Sequence, residues 1–281
     1  MSWLIFSLIF WAGAWWLNAW LARSIYRDSK GVRVFVPVLF GVTLLILWEG
    51  LVQGLGVSPV ILPPPSMVAQ TFVNSTDILW QDFKQTVFKG AFTGFAIGAT
   101  AAFLTAVLID RSVFLTRGLL PIGNFVAALP IVGIAPILVS WFGFDWHSKA
   151  AVVVVMVFFP ILVNTVQGLR EADAMQRDLM RTYAASYAQT LIKLRLPAAM
   201  PFIFNGLKIA TTLALIGAIV AEYFGSPTRG MGFRISTGVG SLSIDLVWAE
   251  IAVAAVAGTV FYALVAGLEK MVTFWHPSQR R

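Results

Sequence analysis

The chain has 281 residues, of which 58% are apolar and only 12% charged, with a mean hydropathy of +0.82. A soluble domain is about 45–50% apolar and about 25% charged, so a water-soluble globule, a disordered chain and a disulfide scaffold are all excluded. Cysteine is absent, which removes thiol catalysis, disulfides and Cys-bound metal, and 20 Lys and Arg against 13 Asp and Glu leave a net charge of +7.

A helix needs about 20 mostly apolar residues to cross the hydrocarbon core. Taken in chain order, residues 2–22 are uncharged and hold Trp3, Trp11, Trp15, Trp16 and Trp20. No cationic segment precedes them and no small-residue cleavage site follows, so they read as a retained helix and not a signal peptide. Residues 34–56 carry only Glu49. Residues 57–65 are too rich in proline for helix. Ser66 then offers an N-cap, and 67–83 is expected to be a half-polar helix on the membrane surface. Residues 90–109 and 150–169 are uncharged, as are 118–144, which Pro121, Pro130 and Pro136 interrupt. Residues 202–224 hold Lys208 and Glu222, and 251–268 lie between Glu250 and Glu269. The segment 225–245, rich in Gly and Ser, is expected to be a loop. The reading is therefore all-α and polytopic, with about seven transmembrane helices.

Charge distribution sets the expected orientation. With the N-terminus outside, Lys84, Lys89, Lys149, Arg229 and Arg234 fall on the outer side, and the rest of the 20 basic residues, Arg280 and Arg281 included, fall inside. Cytoplasmic loops carry the Lys/Arg excess, so N-out, C-in is the expected topology. The same distribution explains the positive charge without nucleic acid, since no basic patch with interleaved aromatics is present.

Within the third span Gly90, Gly94, Gly98 and Ala102 recur every four residues and line one helix face. Such a stripe permits close helix packing; a substrate groove is the other reading. Asn164 and Gln167 in the fifth span either hydrogen-bond across helices or line a path. Glu49, Glu222, Glu250 and Glu269 fall close to expected span ends, where a carboxylate reaches water cheaply. Glu222, ahead of the Gly-rich segment, is a candidate for the path. His147 and His276 have no partner at metal-ligand spacing. No HExxH, GxSxG or Walker A pattern occurs, so neither a metal, a cofactor nor bound ATP is expected.

The longest polar segment, 170–201, reads READAMQRDLMRTYAASYAQTLIKLRLPAAMP. Met175, Leu179 and Thr182-Tyr183 follow a helical period, with Arg177, Asp178 and Arg181 on other faces. Ser186 and Gln189 have the spacing of a capping box. Two short amphipathic helices joined by a turn at Ala184-Ala185 are expected, the second running towards Leu196-Pro197. An exposed pair of this kind serves a partner or lies on lipid headgroups.

This segment resembles the EAA loop of permease subunits of ABC importers, in which Glu-Ala-Ala, three residues and Gly precede a helix ending in Leu-Pro. Aligned on Leu196-Pro197, the Glu position falls on Asp178, the Ala positions on Leu179 and Met180, and the Gly position on Ala184; the Ala pair is replaced. ILPPPSMV, PAAMPFIFNGLK, AEYFGS and RGMGFRI resemble, in the same order, segments of the nitrate/sulfonate/taurine-type branch. The resemblance covers roughly residues 35–272. It implies a type I importer permease fold over 34–281, with 1–33 as an added helix and basic linker, in the bacterial inner membrane. It also implies a second permease subunit, expected as a homodimer, and an extracytoplasmic solute-binding protein. Cytoplasmic ATPase subunits would grip the loop through Asp178, Leu179, Met180, Arg181, Ala184, Ala185, Ser186, Leu196 and Pro197. The competing reading is a stand-alone secondary transporter or channel, which would ordinarily show deep carboxylates or a second repeat. A neutral heterocycle is favoured over sulfonate, taurine or nitrate as solute, because the spans offer no fixed cation.

Overall fold

The computed structural model describes residues 2–24, 27, 29–127, 129–225 and 228–275. His276, Arg280 and Arg281 lie outside the described residues. The fold of the described residues is all helical. Helices α1 (Ser2–Arg23), α2 (Lys30–Leu55) and α3 (Pro65–Asn74) come first. The long helix α4 (Thr76–Asp110) follows, then α5 (Val113–Ala127), α6 (Ile131–Phe142) and α7 (Trp146–Arg170). The chain continues through α8 (Ala174–Thr182), α9 (Tyr187–Gly225), α10 (Met231–Gly240) and α11 (Ile244–Val272). Among the described residues, α1, α2, α4, α7, α9 and α11 are long and apolar enough to cross a membrane.

Several boundaries differ from expectation. The stretch 118–144 is not one continuous helix: α5 ends at Ala127 and Pro130 caps α6, leaving two helices of 15 and 12 residues. Residues 76–83 do not lie with α3 but open α4, continuing through a π-helical stretch, Lys84–Phe92, into the third span. The Gly-rich segment contains α10. Helix α9 does not end at Leu196-Pro197; it passes through a π turn at Leu191–Arg195 and on to Gly225.

The described residues form two compact units: those up to Asp77 with Thr237–Glu250, and Ile78–Ser236 with those from Ile251 onward. In the first unit, α1 and α2 pack closely where Gly50 meets Ser7 and Gly54 meets Leu4. Ser66 is not the N-cap of α3. Pro64 takes that place and Pro65 the first helical position, which its fixed φ suits. The Ser66 amide and hydroxyl instead donate to Glu49, at 2.9 and 2.6 Å. Trp48 and Trp248 rings meet at 4.8 Å, and Thr71 donates to Asp245 at 2.6 Å.

The second unit is built on α4, α7 and α9. Helix α4 runs parallel to α7, and α9 runs antiparallel to it. Small residues set the spacing, as lipid offers no hydrophobic drive between helices. A Cβ on Gly94 would stand 2.5 Å from Val153 Cβ, and one on Gly98 2.5 Å from Val157 Cγ2. Gly90 faces Ala218. On the other side of α7, Gly168, Gly206 and Gly217 bring α9 equally close. Ala102, Ala106, Ile109, Val153, Val157, Ile161, Ala210, Ala214 and Ala218 fill the core between the three helices.

Candidate functional site

The second unit has two polar ends. At the end formed by Asp110, Arg170 and Arg195, the segment 170–201 folds as a helix, a turn and a helix. Asp173 caps α8 by accepting from the Met175 amide at 3.1 Å. Met175 and Leu179 of α8 and Tyr183 at its C-cap form one stripe and are 78%, 55% and 77% exposed. Asp178 and Arg181 pair at 3.1 Å on the exposed side, a contact worth little in water.

The turn lies at Ala184, whose φ of 51° is left-handed. Its amide donates to Arg181 O and that of Ala185 to Met180 O, each at 2.9 Å, closing the end of α8. A side chain in this conformation costs roughly 1–2 kcal/mol. The capping box forms: Ser186 Oγ accepts from the Gln189 amide at 3.3 Å, and Gln189 Oε1 from the Ser186 amide at 2.8 Å. Leu196 packs partly buried beside Leu169 and Ala199, and Pro197 sits inside α9 rather than at its end.

The base of this loop is clamped by residues that the sequence reading did not single out. Arg195 grips Asp110 through two nitrogens, at 2.5 and 2.6 Å, and donates from Nε to Leu169 O at 2.9 Å. Tyr187 donates to the same carboxylate at 2.9 Å, and the Arg111 guanidinium lies 4.5 Å from the Tyr187 ring centre. The start of α9 is thereby fixed to the ends of α4 and α7. The available signal was Asp110 itself, the acid that terminates an otherwise uncharged span.

At the opposite end, Glu222 is fully buried within the protein and does not reach water through its own side chain. It accepts from Thr86 Oγ1 at 2.7 Å and from the Gly232 amide at 3.1 Å, so it caps the start of α10. Thr86 Oγ1 accepts from the Met231 amide at 2.8 Å. Asp82 accepts from the Gly230 amide at 2.7 Å and from Arg234 Nε at 2.8 Å. Lys149 donates to Gly225 O and Phe144 O. Gly230 has a φ of 120°, and a Cβ there would collide with the Glu222 carboxyl, which is why RGMG carries glycine at this point. In the first unit Glu250 is fully buried, and elsewhere in the second unit Glu269 is nearly so, paired with Lys208 at 2.7 Å.

Asn164 and Gln167 lie six and three residues before Arg170, on the side of α7 nearer the Asp110 end. Asn164 Oδ1 accepts from Asn205 Nδ2 at 3.0 Å, its own Nδ2 donates to Pro160 O, and Gln167 is exposed. Glu222 is not brought to them: it is 17 residues along α9 from Asn205, about 25 Å at 1.5 Å per residue.

A family model described as "binding-protein-dependent transport system inner membrane component" matches residues 78–273. The chain is 34% identical over 224 residues to a "Probable ABC transporter permease protein" of Haemophilus influenzae, covering 78% of this chain and 89% of the relative. It is 29% identical over 251 residues to the formylaminopyrimidine transport permease protein ThiX of Halalkalibacterium halodurans, covering 89% of this chain and 100% of the relative. It is 30% identical over 237 residues to the riboflavin transport system permease protein RibX of Chloroflexus aurantiacus, covering 84% and 88%. With apolar helices that suit a multi-pass inner-membrane protein and a match over most of its length, the chain belongs to the inner-membrane permease family of binding-protein-dependent ABC importers.

Proposed function

We propose that this permease works as a homodimer, N-out and C-in, whose α8 docks into a cytoplasmic ATPase subunit and whose solute is a small neutral heterocycle. The observation that carries the docking is the stripe Met175, Leu179 and Tyr183, three large side chains exposed along α8 and its C-cap, whose supporting base is clamped to α4 and α7. An amphipathic helix of this kind seats in a hydrophobic groove. Force applied at α8 then passes through Ala184 and Ser186 into α9, because Arg195 ties the start of that helix to Asp110. ATP must bind one arrangement of the assembly better than another, since a ligand shifts only states that it binds differently. Residues 1–33 are an added helix and linker in this reading, and 34–281 the permease proper.

The pairing surface and path are assigned to the exposed stripe of α9 that includes Asn205, Ile209, Thr212 and Ile216, beside Asn164 and Gln167. These groups are uncharged, and Lys208 is already paired with Glu269. That favours a neutral solute, as do the formylaminopyrimidine and riboflavin in the relatives' names. Co-purification of the ATPase with wild type and with Leu179→Glu tests the docking: loss in the variant is expected, and full retention would sink it. Identifying the ligand of the co-purified binding protein tests the solute, and a sulfonate or nitrate there would overturn the heterocycle.

A further inference from the structure

At the Asp110 end of the second unit lies an open pocket of about 480 Å³. Five arginines line it, Arg117 from α5, Arg170 from α7, Arg177 and Arg181 from α8, and Arg195 from α9, against one carboxylate, Asp110. Asp110 is spent on Arg195 and Tyr187. Asp178, the partner of Arg181, stands on the exposed surface. Among the described residues no carboxylate pairs with Arg117 or Arg177. Guanidinium forks match phosphate oxygens in geometry and charge.

A second pocket borders the same elements and is almost wholly apolar. Phe103, Leu104, Val107 and Leu108 of α4 form one wall, and Leu191, Ile192 and Leu196 of α9 the other. Its walls are the chain neighbours of Asp110 and Arg195, which belong to the cationic pocket. A polyanionic pocket filler with no apolar part would use only the first; an acyl chain attached to a phosphate would use both. Basic pockets between helix ends on the cytoplasmic side suit anionic lipid headgroups.

We infer that the Arg117–Arg177 pocket and the adjoining α4–α9 groove form a site for one anionic phospholipid of the cytoplasmic leaflet. The leaflet assignment rests on the N-out, C-in reading given above. The phosphate sits between Arg117 of α5 and Arg177 of α8, and one chain lies along Leu104 and Leu108. Because α8 is also the docking helix, the lipid holds it at a fixed angle to α5, so that anionic lipid raises the efficiency with which hydrolysis drives uptake.

The test uses the intact importer complex in phosphatidylcholine vesicles with and without phosphatidylglycerol. Spin-labelled phosphatidylglycerol reports lipid association, and isothermal titration with inorganic phosphate reports the free anion. Wild type should retain phosphatidylglycerol over phosphatidylcholine, with roughly fivefold weaker association for each of Arg117→Gln and Arg177→Gln. Leu104→Trp, which fills the groove and leaves the arginines, should weaken lipid association and leave phosphate titration unchanged. This variant also guards against arginine variants that fail to assemble. No preference for phosphatidylglycerol in wild type, or a preference untouched by all three variants, overturns the site. Phosphate binding that depends on Arg117 and Arg177 without lipid preference assigns the pocket to a free anion and overturns the lipid. Loss of the ATPase from the arginine variants with lipid preference intact shows that the arginines meet the ATPase, which also overturns it. If wild type holds phosphatidylglycerol but never co-purifies with an ATPase, the docking reading fails and the lipid site stands.

Discussion

Arg195 closes a two-pronged ion pair on Asp110, 85 residues earlier in the chain, with both side chains largely shielded from water. This pair fixes the root of the loop to the core. Removing one partner of such a pair strands the other charge and costs about 3–5 kcal/mol. Asp110→Ala and Arg195→Ala should each lower the melting temperature and abolish uptake. The double variant should recover part of the stability without recovering uptake, because the clamp is gone. Stability and uptake that return together in the double variant would show that the pair is replaceable packing and not a transmission point.

Ala184 holds a left-handed turn that glycine adopts freely. Ala184→Gly should leave uptake intact and stabilise the loop by up to about 1 kcal/mol. Ala184→Trp leaves the helices unaltered, yet places bulk beside the docking stripe. It should reach the membrane normally and lose ATPase co-purification or substrate-stimulated hydrolysis. Full uptake by this variant would remove the loop from the transmission path and undo the alignment through Asp178 and Pro197.

The spans were legible because length and hydropathy are local properties: 34–56, 150–169, 202–224 and 251–268 each lie, to within one residue, inside an observed helix. The capping box at Ser186 and the turn at Ala184 were legible for the same reason, since each involves residues a few positions apart. What stayed hidden needs a partner distant in sequence. Ser66 looks like an N-cap until Glu49 takes its hydroxyl. Glu222 looks like a helix-end carboxylate until Thr86 and Gly232 are brought to it. The break at Pro130 was visible as a proline but not as the division between two helices, because prolines also occur inside α2, α5, α6, α7 and α9 without ending them.

Gly94 sits where α4 and α7 come closest, with a hypothetical Cβ 2.5 Å from Val153 Cβ and 2.8 Å from the Ala150 carbonyl oxygen. A backbone oxygen cannot swing aside, so Gly94→Leu must part the helices. The expected cost is about 1–3 kcal/mol, read as a lower melting temperature of the detergent-solubilised complex. Unchanged melting and uptake would mean that this face tolerates bulk and that the glycine stripe has no packing role.

The orientation is open to a direct assay. A reporter active only in the cytoplasm, fused after Arg281, should be active. The same reporter between Gly238 and Ser241, at the end of α10, should be silent. Activity at the second position would reverse the topology and move the arginine pocket to the other face of the membrane.

Glu222, offered by the sequence as a carboxylate reaching water at a span end or a lining group of the path, is held in the structure as an internal tie. Its carboxylate is buried, accepts from the Thr86 hydroxyl and the Gly232 amide, and leaves no room for a Cβ at Gly230. Glu222→Ala orphans two buried donors, each worth about 1–3 kcal/mol when left without an acceptor. The start of α10 should then loosen. Trypsin should cut faster after Arg229 and Arg234, the melting temperature should fall, and uptake should drop with both. Glu222→Gln keeps one carbonyl oxygen for these donors and should fall between wild type and Ala in all three measurements. A path-lining role predicts a different pattern: unchanged proteolysis and melting, with an altered solute concentration at half-maximal uptake in both variants. That outcome would return Glu222 to the translocation path and leave α10 held by Asp82 and Thr86 alone.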